Sequence, residues 1–327
     1  MRYQNPDRVR QLIQRIPDHL YRMDYDALKI DCNSVLTSVP APVVDFTNER
    51  FFFHQREFGG LNVIYRARLI TNSDNRPHEN VSEISYIPDN LLHKIENFGR
   101  VNKPRQSMFY GSLDFATACT EAITKGNVFK DKSSVMLTVG AWKFETPLKL
   151  VQMPHSEKYF KLFYDTVQVK SESIQLEHVQ QLNAEARKQF ETDIEFEVLQ
   201  FFADEFGKFS TENGYEYKLS NYYADRIFNR IRGYEMEEEI DGIIYPSIAL
   251  SYQHKNIVLK PEVVKNKMKF INAMQVWLVS FAGRGGGAQF IPIKQKIHAD
   301  SDGKLLWYPE QNIIQPTILD DQTPKNL

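Results

Sequence analysis

Cysteine is nearly absent from this chain of 327 residues: only Cys32 and Cys119 occur. Two thiols cannot build a disulfide framework, and neither stands at zinc-finger spacing from a histidine. No apolar run reaches the roughly 18–20 residues needed to span a bilayer. The longest, Ala273 to Ala282, is broken by Gln275 and Ser280. Charge of one sign is missing too. Lys+Arg number 40 against 42 Asp+Glu, a net charge of −2. That balance lacks the bulk basic footprint of a nucleic-acid binder, although a local basic pocket is allowed. The eight histidines form no His-x-x-x-His pair, so no catalytic metal is expected. The opening stretch, MRYQNPDRVRQLIQRIPDHL, is too polar for a secretory signal. The expectation is a cytoplasmic protein in a reducing compartment, with neither membrane nor nucleic acid as partner.

What the chain does contain is an ordinary globular composition, 42% apolar and 25% charged. Asn5-Pro6 should open a helix, with a capping residue and then proline at the first helical position. Val9, Leu12, Ile13, Ile16 and Leu20 repeat behind it at helical spacing, up to the break at Pro40-Ala-Pro42. Leu61 to Ile70 alternates with a period of two and predicts a strand. Val63, Tyr65, Ala67 and Leu69 share one face; Ile64, Arg66 and Arg68 share the other. A loop (Thr71 to Asn80), a short strand (Met108 to Gly111) and a helix capped by Ser112 or Asp114 follow. Ser134 to Phe144 reads as a strong strand. A long helical segment runs from about Leu176 to Phe206 and ends at Gly207. A further helix spans about Tyr222 to Arg232. Strands resume at Ile243 to Tyr245, at Asn256 to Leu259 and near Met274 to Phe281. The acidic run Glu235 to Glu239 reads as a solvated loop. Gly283 to Gly287 lacks the Lys-Ser/Thr of a P-loop. Strands and helices mix without regular βαβ alternation, which favours an α+β fold.

Three segments carry candidate chemistry. They are Tyr65-Arg66-Ala67-Arg68; then Gly99-Arg100-Val101-Asn102 with Met108 to Ser112 and Phe115 to Glu121; then Asp241 to Ser247 with Asn256 to Leu259. In order and spacing this set resembles the RES domain, a group of bacterial NAD⁺-degrading proteins, many of them toxins. The resemblance covers roughly Tyr65 to Leu259. It implies a mixed-sheet core like that of ADP-ribosyltransferases, with an N-terminal helical extension over 1–50. The catalytic domain would span 51–265, with a helical insertion about 172–207. A C-terminal extension over 266–327 would pack on the core. One of these extra segments is a candidate shield for the cleft. The resemblance further implies NAD⁺ as substrate, and it raises the role of a toxin held by an antitoxin or regulatory protein. Homo-oligomerisation stays open.

The residue types suit that substrate. Guanidinium groups bind phosphate oxygens in a fork, which makes Arg66 and Arg100 the candidates for the pyrophosphate, with Arg68 in reserve. Breaking a ribose C1′–nitrogen bond develops positive charge on the sugar, which a carboxylate stabilises; Glu121 is the candidate. Tyr110 can pack on nicotinamide or ribose and offer its hydroxyl to a phosphate or a carboxylate. Ser247 can bond a phosphate or orient Glu121, and no Gly-x-Ser-x-Gly elbow surrounds it. Asn102 can hold the turn that presents Arg100. Arg66, Arg100, Tyr110, Glu121 and Ser247 should line one cleft. Water, phosphate or a protein side chain remains open as acceptor. The competing reading is a non-catalytic nucleotide-binding or protein-interaction module on the same fold.

Overall fold

A computed structural model of the chain describes residues 5–19, 23–47, 62–71, 76–124, 134–167, 172–208, 214–229, 239–247, 254–281, 287–294 and 299–307. Gly283 to Gly286 of the expected loop and most of the acidic run lie outside the described residues. Among the described residues, nine strands form one mixed sheet. In chain order they are β1 (Val43–Phe46), β2 (Val63–Leu69), β3 (Phe109–Ser112), β4 (Ser134–Phe144), β5 (Leu148–Gln152), β6 (Gly242–Pro246), β7 (Lys255–Leu259), β8 (Met268–Phe281) and β9 (Gly287–Lys294). Their order across the sheet is β1-β5-β6-β7-β3-β2-β4-β8-β9. Only β5 and β6 run parallel; every other pair is antiparallel.

The helices are α1 (Pro6–His19), α2 (Tyr25–Val35), α3 (Phe115–Thr124), α4 (Glu157–Val167), α5 (Glu172–Arg187), α6 (Asp193–Phe206), α7 (Lys218–Phe228) and α8 (Pro261–Lys267). Local chemistry sets their ends. The Asn5 side chain accepts from the Arg8 N–H at 3.0 Å, and Asp114, not Ser112, caps α3 by accepting from the Thr117 N–H at 2.9 Å. None of the described helices is long and apolar enough to cross a membrane.

The long helical segment expected between Leu176 and Phe206 is two helices. Thr192 and Glu195 form a reciprocal capping box that starts α6 afresh. Arg187, at the end of α5, donates from Nε to Asp193 at 2.9 Å and fastens the corner. The break carries no glycine or proline, so apolar periodicity ran straight through it.

Alternation distributes the two faces of the sheet. Tyr110, Ser112, Asn256, Val258, Ile243 and Tyr245 belong to one face, because cross-strand partners share a side. Helices α6, α7, α1 and α2 pack over one half of it. Their core contains Leu28, Cys32, Leu36, Val198, Phe202, Tyr222 and Tyr223, all fully buried. Helix α3 packs over the other half, on Tyr65, Val139 and Val276. The opposite face buries Ile64, Phe109, Trp142 and Ile257 beneath Val263 and Val264 of α8.

The second helix of the segment expected as an insertion is part of the core. Phe202 of α6 stacks 4.7 Å from Tyr223 of α7, and Phe206 lies 5.5 Å from Tyr245 of β6. The segment after 265 differs from the expectation in the same way. It does not merely pack on the core: β8 pairs with β4 from Met268 to Val279 and continues the sheet. The N-terminal segment also adds more than helices, since β1 pairs with β5 at the sheet edge.

Candidate active site

A cleft of about 240 Å³ opens beside α3, over β2, β3 and the strands next to them. Arg66, Arg68, Arg100, Tyr110, Ser112, Glu121, Tyr245 and Asn256 are among its lining residues. Strand splaying makes room for it. Strands β2 and β3 share a single register pair, Tyr65 with Ser112. Gly111 lets them approach there, since a Cβ would sit 2.6 Å from Ile64 and 3.0 Å from the Tyr65 carbonyl.

The split explains how Arg66 reaches the cleft. Alternation roots Arg66 and Arg68 on the face opposite Tyr65 and Glu121. Arg66 stands with its guanidinium carbon 5.3 Å from the centre of the Phe109 ring. Its Nη1 donates to the Tyr110 carbonyl across the gap between the strands. Its Nε is buried and has no partner among the described residues. Burial, reinforced by the charge on Arg68, pushes the Arg66 guanidinium down to about 9. Arg68 donates to the Ser85 carbonyl at 2.9 Å, and burial lowers it as well.

Arg100 is built in from the other side. Its Nε donates to the Phe206 carbonyl at 3.0 Å and its Nη2 to the Lys208 carbonyl at 2.9 Å. The Phe206 carbonyl is at the C-terminal end of α6, where the helix leaves acceptors open and favours a cation, and Lys208 follows just beyond it. The guanidinium also lies 4.9 Å from the Tyr217 ring centre. Burial works to lower its pKa, but Tyr217, Tyr245 and Glu121 outweigh it and the net direction is up. None of the three arginines makes an ion pair with a carboxylate among the described residues. Unpaired buried guanidinium groups are costly, and a bound anion would relieve that cost.

Glu121 projects from α3 with its two oxygens treated differently. Oε1 accepts from Ser247 Oγ at 2.6 Å and from Asn256 Nδ2 at 2.6 Å. Oε2 has no hydrogen-bond partner among the described residues, and Glu121 borders the cleft. Ser112 Oγ donates to Asn256 Oδ1 at 2.6 Å and completes a chain of buried polar groups. Asp241-Gly242 anchors the strand that leads to Ser247. The Asp241 carboxylate accepts from Lys267 Nζ at 2.7 and 2.8 Å and from the Lys149 N–H at 2.9 Å. Gly242 has no space for a side chain, because a Cβ would meet the Val258 carbonyl at 2.1 Å.

The Gly-Arg-x-Asn turn is a closed unit. The Gly99 N–H donates to the Asn102 carbonyl at 2.9 Å. The Tyr110 hydroxyl donates to Asn102 Oδ1 at 2.7 Å and accepts from the Val101 N–H at 2.9 Å. A Cβ on Gly99 would lie 2.2 Å from Asn102 Oδ1. Burial drives the Tyr110 phenol far above its usual range.

Four of the five expected lining residues, Arg66, Arg100, Tyr110 and Glu121, meet in the cleft. Ser247 does not line it; it sits fully buried behind Glu121. Asn102 likewise braces the turn from behind Tyr110. The Tyr110 hydroxyl serves that turn, where the sequence had left it open to a phosphate or a carboxylate. Asn256 was missed as a site residue. Its signal was an amide inside a buried apolar strand, Asn-Ile-Val-Leu, where asparagine is disfavoured. No group of three or more metal-ligating side chains occurs among the described residues.

The RES domain model matches residues 81–279, more than half of the sequence. The chain belongs to the RES domain family. Within the matched span lie the Arg100 turn, Tyr110, Glu121, Ser247 and Asn256, together with α4 to α7 and most of β8. Arg66 and Arg68 precede it, and the shared cleft brings them in. No curated protein matches the chain.

Proposed function

We propose that this RES protein consumes NAD⁺ by breaking the bond between nicotinamide and ribose, on a core related to that of the ADP-ribosyltransferases. One observation carries the reading. A carboxylate with one oxygen tethered and the other without a partner among the described residues borders the same cleft as three guanidinium groups that have no carboxylate partner among those residues. NAD⁺ supplies the complementary pattern, an anionic pyrophosphate linked to a ribose that turns cationic as nicotinamide departs.

In this reading Arg100 and Arg66 take pyrophosphate oxygens, and the ring of Tyr110 flanks the ribose or nicotinamide. Oε2 of Glu121 stabilises charge at C1′. The cleft is smaller than the roughly 300–1,000 Å³ of usual ligand sites. In this reading it takes the nicotinamide end, beside Glu121, and leaves the adenosine at its mouth. The acceptor is water, phosphate or a protein side chain. An NAD⁺-depleting activity would also account for a toxin restrained by a partner protein.

The test is nicotinamide release from NAD⁺ by the purified protein, with products weighed by mass in the presence and absence of phosphate. Glu121→Gln keeps the size but removes the charge, and should lower kcat on the order of 10²–10³-fold. Equal turnover by parent and variant would remove Glu121 from the reaction. Binding without any release would favour a non-catalytic nucleotide-binding module.

A further inference from the structure

We infer that Asn256 and Ser112 are positioning residues for Glu121: together with Ser247 they tie down Oε1 and leave Oε2 as the oxygen that faces the cleft. What Glu121 then does rests on the proposed reaction; the arrangement does not.

The geometry is specific. Groups from two strands meet on one oxygen of a helix, and a third strand braces one of them. Ser112 ends β3, Asn256 lies opposite it on β7, and Ser247 follows β6. Ser112, Asn256 and Ser247 are almost fully buried, with exposures of 2%, 4% and 0%. All three links between them and Glu121 measure 2.6 Å. Such contacts form only when every group in the chain points the right way.

The asparagine amide is the link whose orientation matters. Its NH₂ must face Glu121, because a carbonyl oxygen there would oppose the carboxylate. The Ser112 hydroxyl fills the other end by donating to Oδ1, so the amide has a partner on both sides. Both donors to Oε1 make their strongest hydrogen bonds to an ionised oxygen. Glu121 is thereby held with one oxygen committed. The other charged and titratable groups around it are Arg100 from the turn, Tyr245 from β6, and Tyr65, Arg66, Arg68 and Tyr110, which line the same cleft. None of these reaches Oε1.

Asn256→Asp tests the arrangement without requiring turnover. It is nearly isosteric, and it replaces the amide donor by a second carboxylate at hydrogen-bonding distance from Glu121. Two carboxylates so close share a proton. Carbon-13 NMR of labelled Asp and Glu side chains should show one carboxyl group in Asn256→Asp titrating more than a unit above the ordinary range. That signal should vanish in Asn256→Asp/Glu121→Gln. Two ordinary titrations with no coupling would overturn the assignment. In the nicotinamide assay, Asn256→Ala should lower kcat about tenfold to a hundredfold, the range for losing an outer partner of a reacting group. KM should stay within about twofold. The acid limb of the Asn256→Asp pH profile should move upward with the NMR titration. An unmoved limb at parental kcat would overturn the positioning role even if the NMR coupling is present. If the parent protein releases no nicotinamide, the proposed reaction fails, and the NMR result decides the arrangement alone. Should Asn256→Ala fail to fold, Ser112→Ala breaks the same chain one link further out, and parental kcat in that variant would count against the inference.

Discussion

Tyr110→Phe removes one oxygen atom, and the structure says what that oxygen holds. It closes the turn from Gly99 to Asn102 by donating to Asn102 Oδ1 at 2.7 Å and accepting from the Val101 N–H at 2.9 Å. Val101 is 1% exposed and Asn102 7%, so water cannot replace the lost partner. Each stranded group costs about 1–3 kcal/mol, so the two together should cost about 2–6 kcal/mol. Urea unfolding should therefore show a clear fall in midpoint with an unchanged slope. Asn102→Ala removes the same acceptor from the other side. Because both substitutions break one bond, the double variant should cost less than the sum of the singles. A loss below about 0.5 kcal/mol for Tyr110→Phe, or strict additivity with Asn102→Ala, would refute the view that this hydroxyl is the turn's clasp. It would then be available to a ligand after all.

Gly99→Ala should destabilise the same turn by about 1–3 kcal/mol, as overpacking does, because its Cβ would lie 2.2 Å from Asn102 Oδ1; a parental unfolding midpoint would refute this. Lys255 gives a pH test, since burial pulls its ammonium down to about 8 from an ordinary 10.5. Below pH 8 the charge is present in both states and disfavours the folded one; between 8 and 10.5 the folded state sheds it first and stability recovers. Lys255→Met should accordingly raise the unfolding midpoint most at pH 7 and least near pH 10.5, and a pH-independent difference would contradict the burial argument.

The sheet and the site were legible in the sequence to different depths. Strands β2 and β4 showed plainly, because Val63 to Leu69 alternates and Ser134 to Phe144 is nearly continuous in apolar and β-branched residues. The α5–α6 break was written in Thr192-Asp-Ile-Glu195, a capping box that periodicity alone overlooks. Strand β1 is four residues at a sheet edge, too short for a pattern of its own. Glu121, Arg66 and Arg100 were recognisable by residue type and order. Which oxygen of Glu121 is tethered was not, since Ser247 and Asn256 lie 126 and 135 positions away from it. The same holds for the Tyr110 hydroxyl: sequence identifies a phenol beside a turn, and only packing decides that the turn takes it.

The placement of Arg100 changes how the helical layer should be regarded. Read along the chain, the stretch over 172–207 resembles an accessory segment that could shield a cleft from a partner or from water. In the fold, its second helix delivers the Phe206 carbonyl that holds Arg100 Nε, and the adjoining Lys208 carbonyl holds Nη2. Arginine carries five donors in a rigid fork. With two of its nitrogens fixed to the end of α6, the remaining edge has one direction open to it. The helix thus sets the aim of the arginine as Ser247 and Asn256 set the aim of Glu121. Helix α6 cannot act as a detachable cover: removing it would release the guanidinium along with Phe202 and Phe206, which belong to the neighbouring core. Any element that restrains the cleft must be sought elsewhere, in a segment whose loss leaves Arg100, Tyr217 and the α6–α7 packing in place.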